Sequence, residues 1–112
     1  MKQYQYDDIE ALQELVSDDF GAWSEPLEVS QDLVNQFADL TGDHNWIHVD
    51  VEKSRTDSPF GTTIAHGFLT LVLMPKMRGK AAYELTGFNS VLNYGSDKLR
   101  FTGPVPVGSS VH

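Results

Sequence analysis

Apolar side chains recur at helical spacing in two segments near the start of the chain. Residues 9–16 carry isoleucine, leucine and valine at intervals of three and four, directly after Asp8. Residues 31–40 repeat the pattern after Ser30, and Gly42 follows them. Asp and Ser cap helix N-termini, and Gly adopts the left-handed conformation that ends helices. The pattern therefore predicts two amphipathic helices, the second ending at Gly42.

The middle of the chain has a different pattern. A short helical turn is expected at 51–55 with Asp50 as its cap. Residues 67–85 then begin with an apolar run that leaves almost no polar face over two turns. A helix that is apolar all round is buried on all sides, and Pro75 is expected to kink or divide it.

The C-terminal third favours strands. A short extended piece is expected at 26–29, and after Gly87 β-branched and aromatic residues alternate with Gly and Pro, which predicts two or more strands. A buried helix needs a cover, and the available cover is a sheet. The chain is therefore predicted to be an α+β protein with layers of helix and sheet.

Length and charge narrow the classes of function. The chain has 112 residues, so one domain spanning 1–112 is expected, and a domain this short would gain burial from oligomerisation. A net charge of −8 disfavours binding to the phosphates of nucleic acids. The start of the chain is too polar for a signal peptide, and the apolar stretch at 67–77 is too short to span a bilayer. A soluble, cytoplasmic protein with no nucleic-acid or membrane partner is expected.

The chain has no cysteine, which excludes disulfides, thiol nucleophiles and cysteine-ligated zinc. The candidate chemistry lies instead in TGDHNWIHVD, residues 41–50. His48 is the residue type most often used as a general base near neutral pH, and the Asp43 carboxylate can orient it or share in proton transfer. Asn45 offers both a donor and an acceptor. The residue types alone leave two interpretations open: a catalytic pair, or ordinary caps and turn bonds.

A second candidate feature is Gly67, at the predicted start of the apolar helix. A helix N-terminus presents free N–H groups, which suit a developing oxyanion, and Gly lets a ligand approach the backbone. The alternative is that Gly67 only permits close packing. His66 precedes it.

The segment FADLTGDHNWIHVDVEKS, residues 37–54, resembles the hydratase-2 motif of the MaoC-like, or (R)-specific enoyl-CoA hydratase, family. The matching positions are Phe37, Leu40, Thr41, Gly42, Asp43, Asn45, Ile47, His48 and Ser54. GTTIAHGFLTL (61–71) and VLNYGSDKLRFTGPVPVGS (91–109) are similar to later landmarks of the family. The resemblance covers roughly residues 20–112. Trp46 stands where the motif has proline. A bulky residue at this position resembles the NodN-like branch of the family.

This resemblance implies a hot-dog fold, in which a central buried helix is wrapped by an antiparallel sheet, in a homodimer. It implies (R)-specific hydration or dehydration of a trans-2-enoyl thioester, carried by CoA or an acyl-carrier protein, without cofactor or metal. Asp43 and His48 would be the catalytic dyad. Asn45, Gly67 and His66 would form the substrate-binding part of the site. Asn45 would hold the dyad and the water, and the N–H of Gly67 would bind the thioester oxygen. His66 would orient the loop.

Other interpretations remain open. The chain ends at GSSVH, where the family begins its final strands, so we expect a sheet without them and a chain that is less stable than a full-length relative or tightly dimeric. A hot-dog thioesterase and a non-catalytic acyl-thioester-binding or assembly protein are alternatives. A metal site is a further alternative, with the ligands Asp43, His44, His48 and Asp50.

Overall fold

The computed structural model describes all 112 residues, and the chain forms a mixed α+β structure, which confirms the predicted class. In chain order the elements are β1 (Lys2–Gln5), α1 (Ile9–Leu12), β2 (Leu27–Glu28), α2 (Gln31–Thr41), α3 (Trp46–Val49), α4 (Val51–Asp57), α5 (Gly67–Val72), β3 (Tyr83–Thr86) and β4 (Ser110–Val111). Short 3₁₀ turns follow α1 at Gln13–Leu15 and α5 at Met74–Lys76. None of the helices has the length and apolar character needed to cross a membrane.

Two compact units make up the chain: residues 1–24 with 78–99, and residues 25–77 with 100–112. We call them the first and the second unit. That residues 1–112 form a single hot-dog domain stays a prediction.

The first unit is built on a parallel pairing of β1 with β3, in which Lys2 lies opposite Tyr83. Tyr4 is its one buried hydrophobic residue, and its ring meets the edge of Tyr83 at a centroid distance of 6.0 Å. Asp8 caps α1 as predicted, accepting from the N–H of Ala11 at 3.0 Å. The helix predicted at 9–16 is present, although it tightens into a 3₁₀ turn after its first four residues.

The second unit contains the hydrophobic core. Its buried members are Val29, Val34, Ala65, Leu69 and Leu73. β2 pairs antiparallel with β4, and the 63–65 and 105–107 segments exchange backbone hydrogen bonds. These pairings bring the end of the chain beside the segment that leads into α5.

The number of strands predicted after Gly87 is wrong. That segment contains only the two-residue β4 and an isolated bridge between Pro106 and Ile64. Pro104 and Pro106 have no N–H to donate, so this segment cannot form a continuous ladder. The extended piece predicted at 26–29 is confirmed, since β2 lies within it.

Capping chemistry sets the helices of the second unit where the sequence predicts them. The Ser30 hydroxyl accepts from the N–H of Leu33 at 3.1 Å, and Gly42 ends α2 with a φ of 81°. The Asp50 carboxylate accepts from the N–H of Lys53 at 3.0 Å and starts α4, which extends to Asp57.

The prediction for α5 is only half right. The helix ends before Pro75, which lies in a 3₁₀ turn, so the predicted division is confirmed. Burial on all sides is wrong. Leu69 is 2% exposed in the core, whereas Phe68 is 60% and Val72 is 54% exposed. The core contacts only the face of the helix that carries Leu69, and the helical period turns Phe68 and Val72 away from it, where they stay largely exposed.

Candidate active site

The loop after α2 positions the first candidate side chain. Gly42 reverses the chain in the left-handed conformation, and Asp43 follows it directly. One carboxylate oxygen of Asp43 accepts from the N–H of Asn45 at 3.3 Å, while Asn45 in turn caps α3 through the N–H of Ile47 at 3.2 Å. Local turn and cap bonds therefore fix the path of the chain from Asp43 to α3.

His48 lies on α3 and is oriented by a hydrogen bond from its ring. Its Nδ1 is 2.7 Å from the carbonyl oxygen of Ile64. A carbonyl can only accept, so Nδ1 carries the hydrogen, and in the neutral ring Nε2 keeps its lone pair. The side chain is half-buried and lines a pocket of about 390 Å³. This arrangement is the one that a general base requires.

The two residues that the sequence paired lie close together. One carboxylate oxygen of Asp43 and ring nitrogens of His48 and His66 all lie within 4.8 Å of one another. A single water can bridge two polar atoms up to about 5.5 Å apart, because each of its hydrogen bonds is about 2.8 Å long. The separation between Asp43 and His48 is therefore within the reach of one bridging water.

The remaining wall of the pocket is largely apolar. Its side chains include Phe60, Ile64, Thr70, Phe101 and Val105. Ligand pockets of a few hundred Å³ with apolar walls and few polar groups are typical of small-molecule sites. His48 therefore faces a space suited to an apolar chain.

Gly67 lines the same pocket as the first residue of α5. A Cβ built on it would lie 2.7 Å from Cδ2 of Phe101, closer than such carbons approach. Packing against Phe101 is therefore a reason for glycine that holds without any ligand. Both interpretations of Gly67, as a packing contact and as an oxyanion-binding site, are compatible with this geometry.

His66 lies beside Asp43 and His48 but does not line the pocket. Its side chain is 5% exposed, and its Nε2 donates to the main-chain carbonyl of Asp43 at 3.0 Å. Its neighbours Ala65 and Gly67 line the pocket, whereas His66 does not. A direct substrate contact by this side chain has no support in the structure.

Three other polar residues of the motif have separate local roles. Asn45 is exposed, and its side-chain oxygen serves as the cap of α3. Asp50 caps α4. The exposed His44 ring is 2.9 Å from the Asp39 carboxylate, a hydrogen bond that is the largest cause raising the pKa of His44 above its usual 6.5.

Trp46, which replaces the proline of the motif, is half-buried at the start of α3. The Lys53 ammonium lies 4.9 Å from the centroid of its ring. Its carbonyl accepts from the buried Ser54 hydroxyl at 3.2 Å. Trp46 thus holds α3 against α4.

Gln31 and Thr63 were not identified from the sequence as residues that support the site. The Gln31 amide donates to the His48 carbonyl at 2.8 Å, and its oxygen accepts from the Thr63 hydroxyl at 2.6 Å. Gln31 thus ties α2 to the backbone of the candidate base. A polar residue in the first turn of a helix gives no signal of such a contact, which depends on the tertiary structure.

A metal centre is not favoured by this geometry. Asp43, His48 and His66 offer suitable ligand types at suitable separations. The two imidazoles, however, are stacked, with centroids 3.8 Å apart and planes inclined by 23°. Imidazole lone pairs lie in the ring plane, so two nearly parallel rings do not direct them at one ion. The four-residue set Asp43, His44, His48 and Asp50 is not assembled, because His44 and Asp50 have other partners.

Comparison with known proteins gives matches over most of the chain. The chain is 52% identical over 88 residues to 3-hydroxyacyl-thioester dehydratase Z of Mycobacterium tuberculosis, which covers 79% of the chain and 57% of that relative. It is 43% identical over 98 residues to nodulation protein N of Rhizobium meliloti, covering 88% of the chain and 60% of the relative.

A third relative, 3-hydroxybutyryl-CoA dehydratase of Methylorubrum extorquens, is 40% identical over 84 residues, which is 75% of the chain and 50% of the relative. The chain thus spans between half and 60% of the length of these curated relatives. The family model described as MaoC like domain matches residues 21–112. On these matches, the chain belongs to the MaoC-like dehydratase family.

Proposed function

We propose that this chain catalyses the (R)-specific hydration of a trans-2-enoyl thioester, carried by CoA or an acyl-carrier protein, and the reverse dehydration. The observation that carries the proposal is the pair formed by the Asp43 carboxylate and the His48 imidazole, within 4.8 Å, beside an apolar pocket that also includes Gly67. Membership of a family whose curated relatives are named dehydratases of hydroxyacyl thioesters supports it.

The hydration needs a base for water and a proton donor for C2, and one imidazole supplies both. Water lies between Asp43 and His48, and His48 Nε2 accepts one of its protons as the water oxygen bonds to C3. The electrons of the C2=C3 bond move towards the thioester oxygen, giving an enolate. The imidazolium of His48 then returns the proton to C2, and the sum is addition of H and OH to one face. Asp43 orients the water and stabilises the transient imidazolium.

Stabilisation of the enolate falls to Gly67 in this proposal. The first N–H groups of a helix have no partner within the helix, and α5 begins at Gly67. A donor aimed at the forming oxyanion stabilises the transition state more than the substrate. The contact with Phe101 makes Gly67→Ala a poor probe of this role, because the added methyl group would disturb the packing as well.

The proposal includes a hot-dog fold and a homodimer. Phe68 and Val72 leave an apolar face of α5 exposed in the single chain, and such a face is commonly covered in an assembly. Light scattering during size-exclusion chromatography tests the dimer, and a monomer at micromolar concentration would count against it.

The test of the activity is loss of the enoyl absorbance of crotonyl-CoA, with chromatography on a chiral phase to identify the 3-hydroxy product. We expect the (R)-product from the unaltered chain. We expect rates reduced by about 10²–10⁴-fold in Asp43→Asn and His48→Gln, the range that general acid–base groups contribute. His44→Gln provides a matched control, since it makes the same change at an exposed histidine outside the pocket.

Different outcomes separate the alternatives. Release of free thiol without a hydroxy product would indicate a thioesterase. Measurable binding of crotonyl-CoA with no turnover would indicate an acyl-thioester-binding protein. Hydration that is unchanged in both dyad variants would contradict the proposed roles of Asp43 and His48.

A further inference from the structure

The His66 side chain contacts both members of the proposed dyad. Its Nε2–H donates to the Asp43 main-chain carbonyl at 3.0 Å, and its ring is stacked on His48 at 3.8 Å. The edge-to-face contact with Phe37 of α2, at 4.9 Å, supports the ring from a third side. His66 is therefore held by packing at the point where the two functional side chains meet.

The hydrogen-bond partners of the two stacked rings require opposite tautomers. The carbonyl of Asp43 fixes the hydrogen of His66 on Nε2, whereas the carbonyl of Ile64 fixes that of His48 on Nδ1. Nδ1 of His66 is then a bare acceptor, and it is the buried side-chain polar atom that has no partner in the structure. An unpaired buried acceptor is unfavourable, so a leucine or phenylalanine would fill a purely structural position more favourably.

We propose that His66 is the positioning residue of the hydratase dyad. Its N–H holds the backbone of Asp43 in place, and thereby the position from which the carboxylate side chain extends. Its ring face fixes the plane of His48, so that Nε2 points at the water shared with Asp43. His66 acts through these two residues and touches no substrate, since its side chain does not line the pocket. This role rests on the proposed hydratase function.

Two substitutions separate the two contacts of His66. His66→Gln retains an N–H donor at the same number of bonds from Cα but removes the ring. His66→Phe retains a flat ring of similar size but removes the donor. His44→Gln is the control for the chemical change, because His44 is exposed and pairs with Asp39 instead.

The steady-state hydration of crotonyl-CoA gives the first readout. We expect kcat to fall by about 10–100-fold in each His66 variant, the scale of loss for a misplaced reacting group, and KM to change by less than about threefold. The control should match the unaltered chain. An unchanged kcat with reduced stability would overturn the proposal and leave His66 as a core residue. A raised KM at constant kcat would also overturn it, since it would indicate contact with substrate.

The tautomers give a second readout that needs no turnover. Long-range ¹H–¹⁵N correlation spectra should show His48 as the Nδ1–H form and His66 as the Nε2–H form. In His66→Gln, loss of the stacked ring should shift the His48 ring signals, while those of His44 stay in place. The same tautomer in both rings, or His48 signals unmoved by either substitution, would contradict the proposal. If His66→Phe does not fold, His66→Gln and the spectra of the unaltered chain decide.

The two readouts keep the two proposals distinguishable. Absence of hydration by the unaltered chain, with the expected tautomers and stacking, would count against the proposed function alone. Hydration that depends on Asp43 and His48 but not on His66 would count against the positioning role alone.

Discussion

The two units of the chain differ in how they bury apolar side chains. The second unit gathers aliphatic residues from β2, α2 and α5 into one core. The first unit buries only Tyr4, and large side chains such as Trp23, Leu92 and Tyr94 are exposed in it. The candidate site lies entirely in the second unit, with the residues Gln31, Asp43, His48, Thr63, His66 and Gly67.

The proposed chemistry requires side chains that are held rigidly, and the second unit is the part of the chain with a packed core. A dyad works only when its atoms are held to within a fraction of an ångström, and packed elements hold side chains better than loops do. His66 is itself buried, and Leu69 of the core lies on α5, the helix that begins directly after it. Substitutions should therefore have larger effects in the second unit than in the first.

The largest contrast is expected from leucine truncation. Leu69→Ala removes a side chain that is 2% exposed and should lower the free energy of unfolding by about 2–5 kcal/mol. Leu92→Ala removes one that is 84% exposed and should change it by less than about 0.5 kcal/mol. Urea denaturation followed by circular dichroism measures both. Equal losses would show that the first unit packs as tightly as the second.

Loss of a helix cap should give a smaller contrast. Asp50→Ala removes the acceptor for the N–H of Lys53 and should cost about 1 kcal/mol, because α4 also buries Ser54. Asp8→Ala removes the cap of α1, which buries none of its residues, and should cost about 0.5 kcal/mol, the low end of the range for a lost cap. Thermal denaturation of the two variants tests the order. A larger loss in Asp8→Ala would reverse the comparison.

The smallest effects are expected at two exposed pairs, one in each unit. Asp39 raises the pKa of His44, while Tyr4 and then Glu14 raise that of Lys2 above 10.5. For a raised pKa, the stabilisation is complete below the unfolded value and is lost as pH rises through the folded value. The stabilisation from the His44 pair should therefore be lost as the pH rises above 6.5, and that from the Lys2 pair only as it rises above 10.5.

An NMR titration checks the first of these pairs. Asp39→Asn should lower the titration midpoint of the His44 ring protons, because the hydrogen bond to the carboxylate is the largest cause of the raised pKa. A midpoint that stays in place would show that Asp39 is not the cause.

Features set by local bonds could be predicted from the sequence. Ser30, Asp50 and Gly42 act within one turn of their own helix ends, so the residue type and its position suffice. These predictions depend on short stretches of chain, which is why they hold. The motif also predicts Asp43 and His48 as a catalytic pair; the structure brings the two side chains close together, and their joint catalytic role stays a prediction.

Features set by distant residues could not be predicted. Burial of α5 depends on what covers each of its faces, and the apolar run FLTLVLM carries no information about that. The contact of Gln31 with the His48 carbonyl and the position of Phe101 against Gly67 join residues far apart in sequence. The stacking of His66 on His48 likewise joins residues that are distant in sequence.

A double-mutant cycle on crotonyl-CoA hydration tests the central claim, that Asp43 and His48 act as one catalytic unit, most directly. The values compared are kcat/KM for the unaltered chain, Asp43→Asn, His48→Gln and the double variant. We predict that each single substitution costs about 10²–10⁴-fold and that the double variant loses little more than the worse single one, because groups that act together are lost together. Losses that multiply in the double variant, or activity retained in either single variant, would contradict the account.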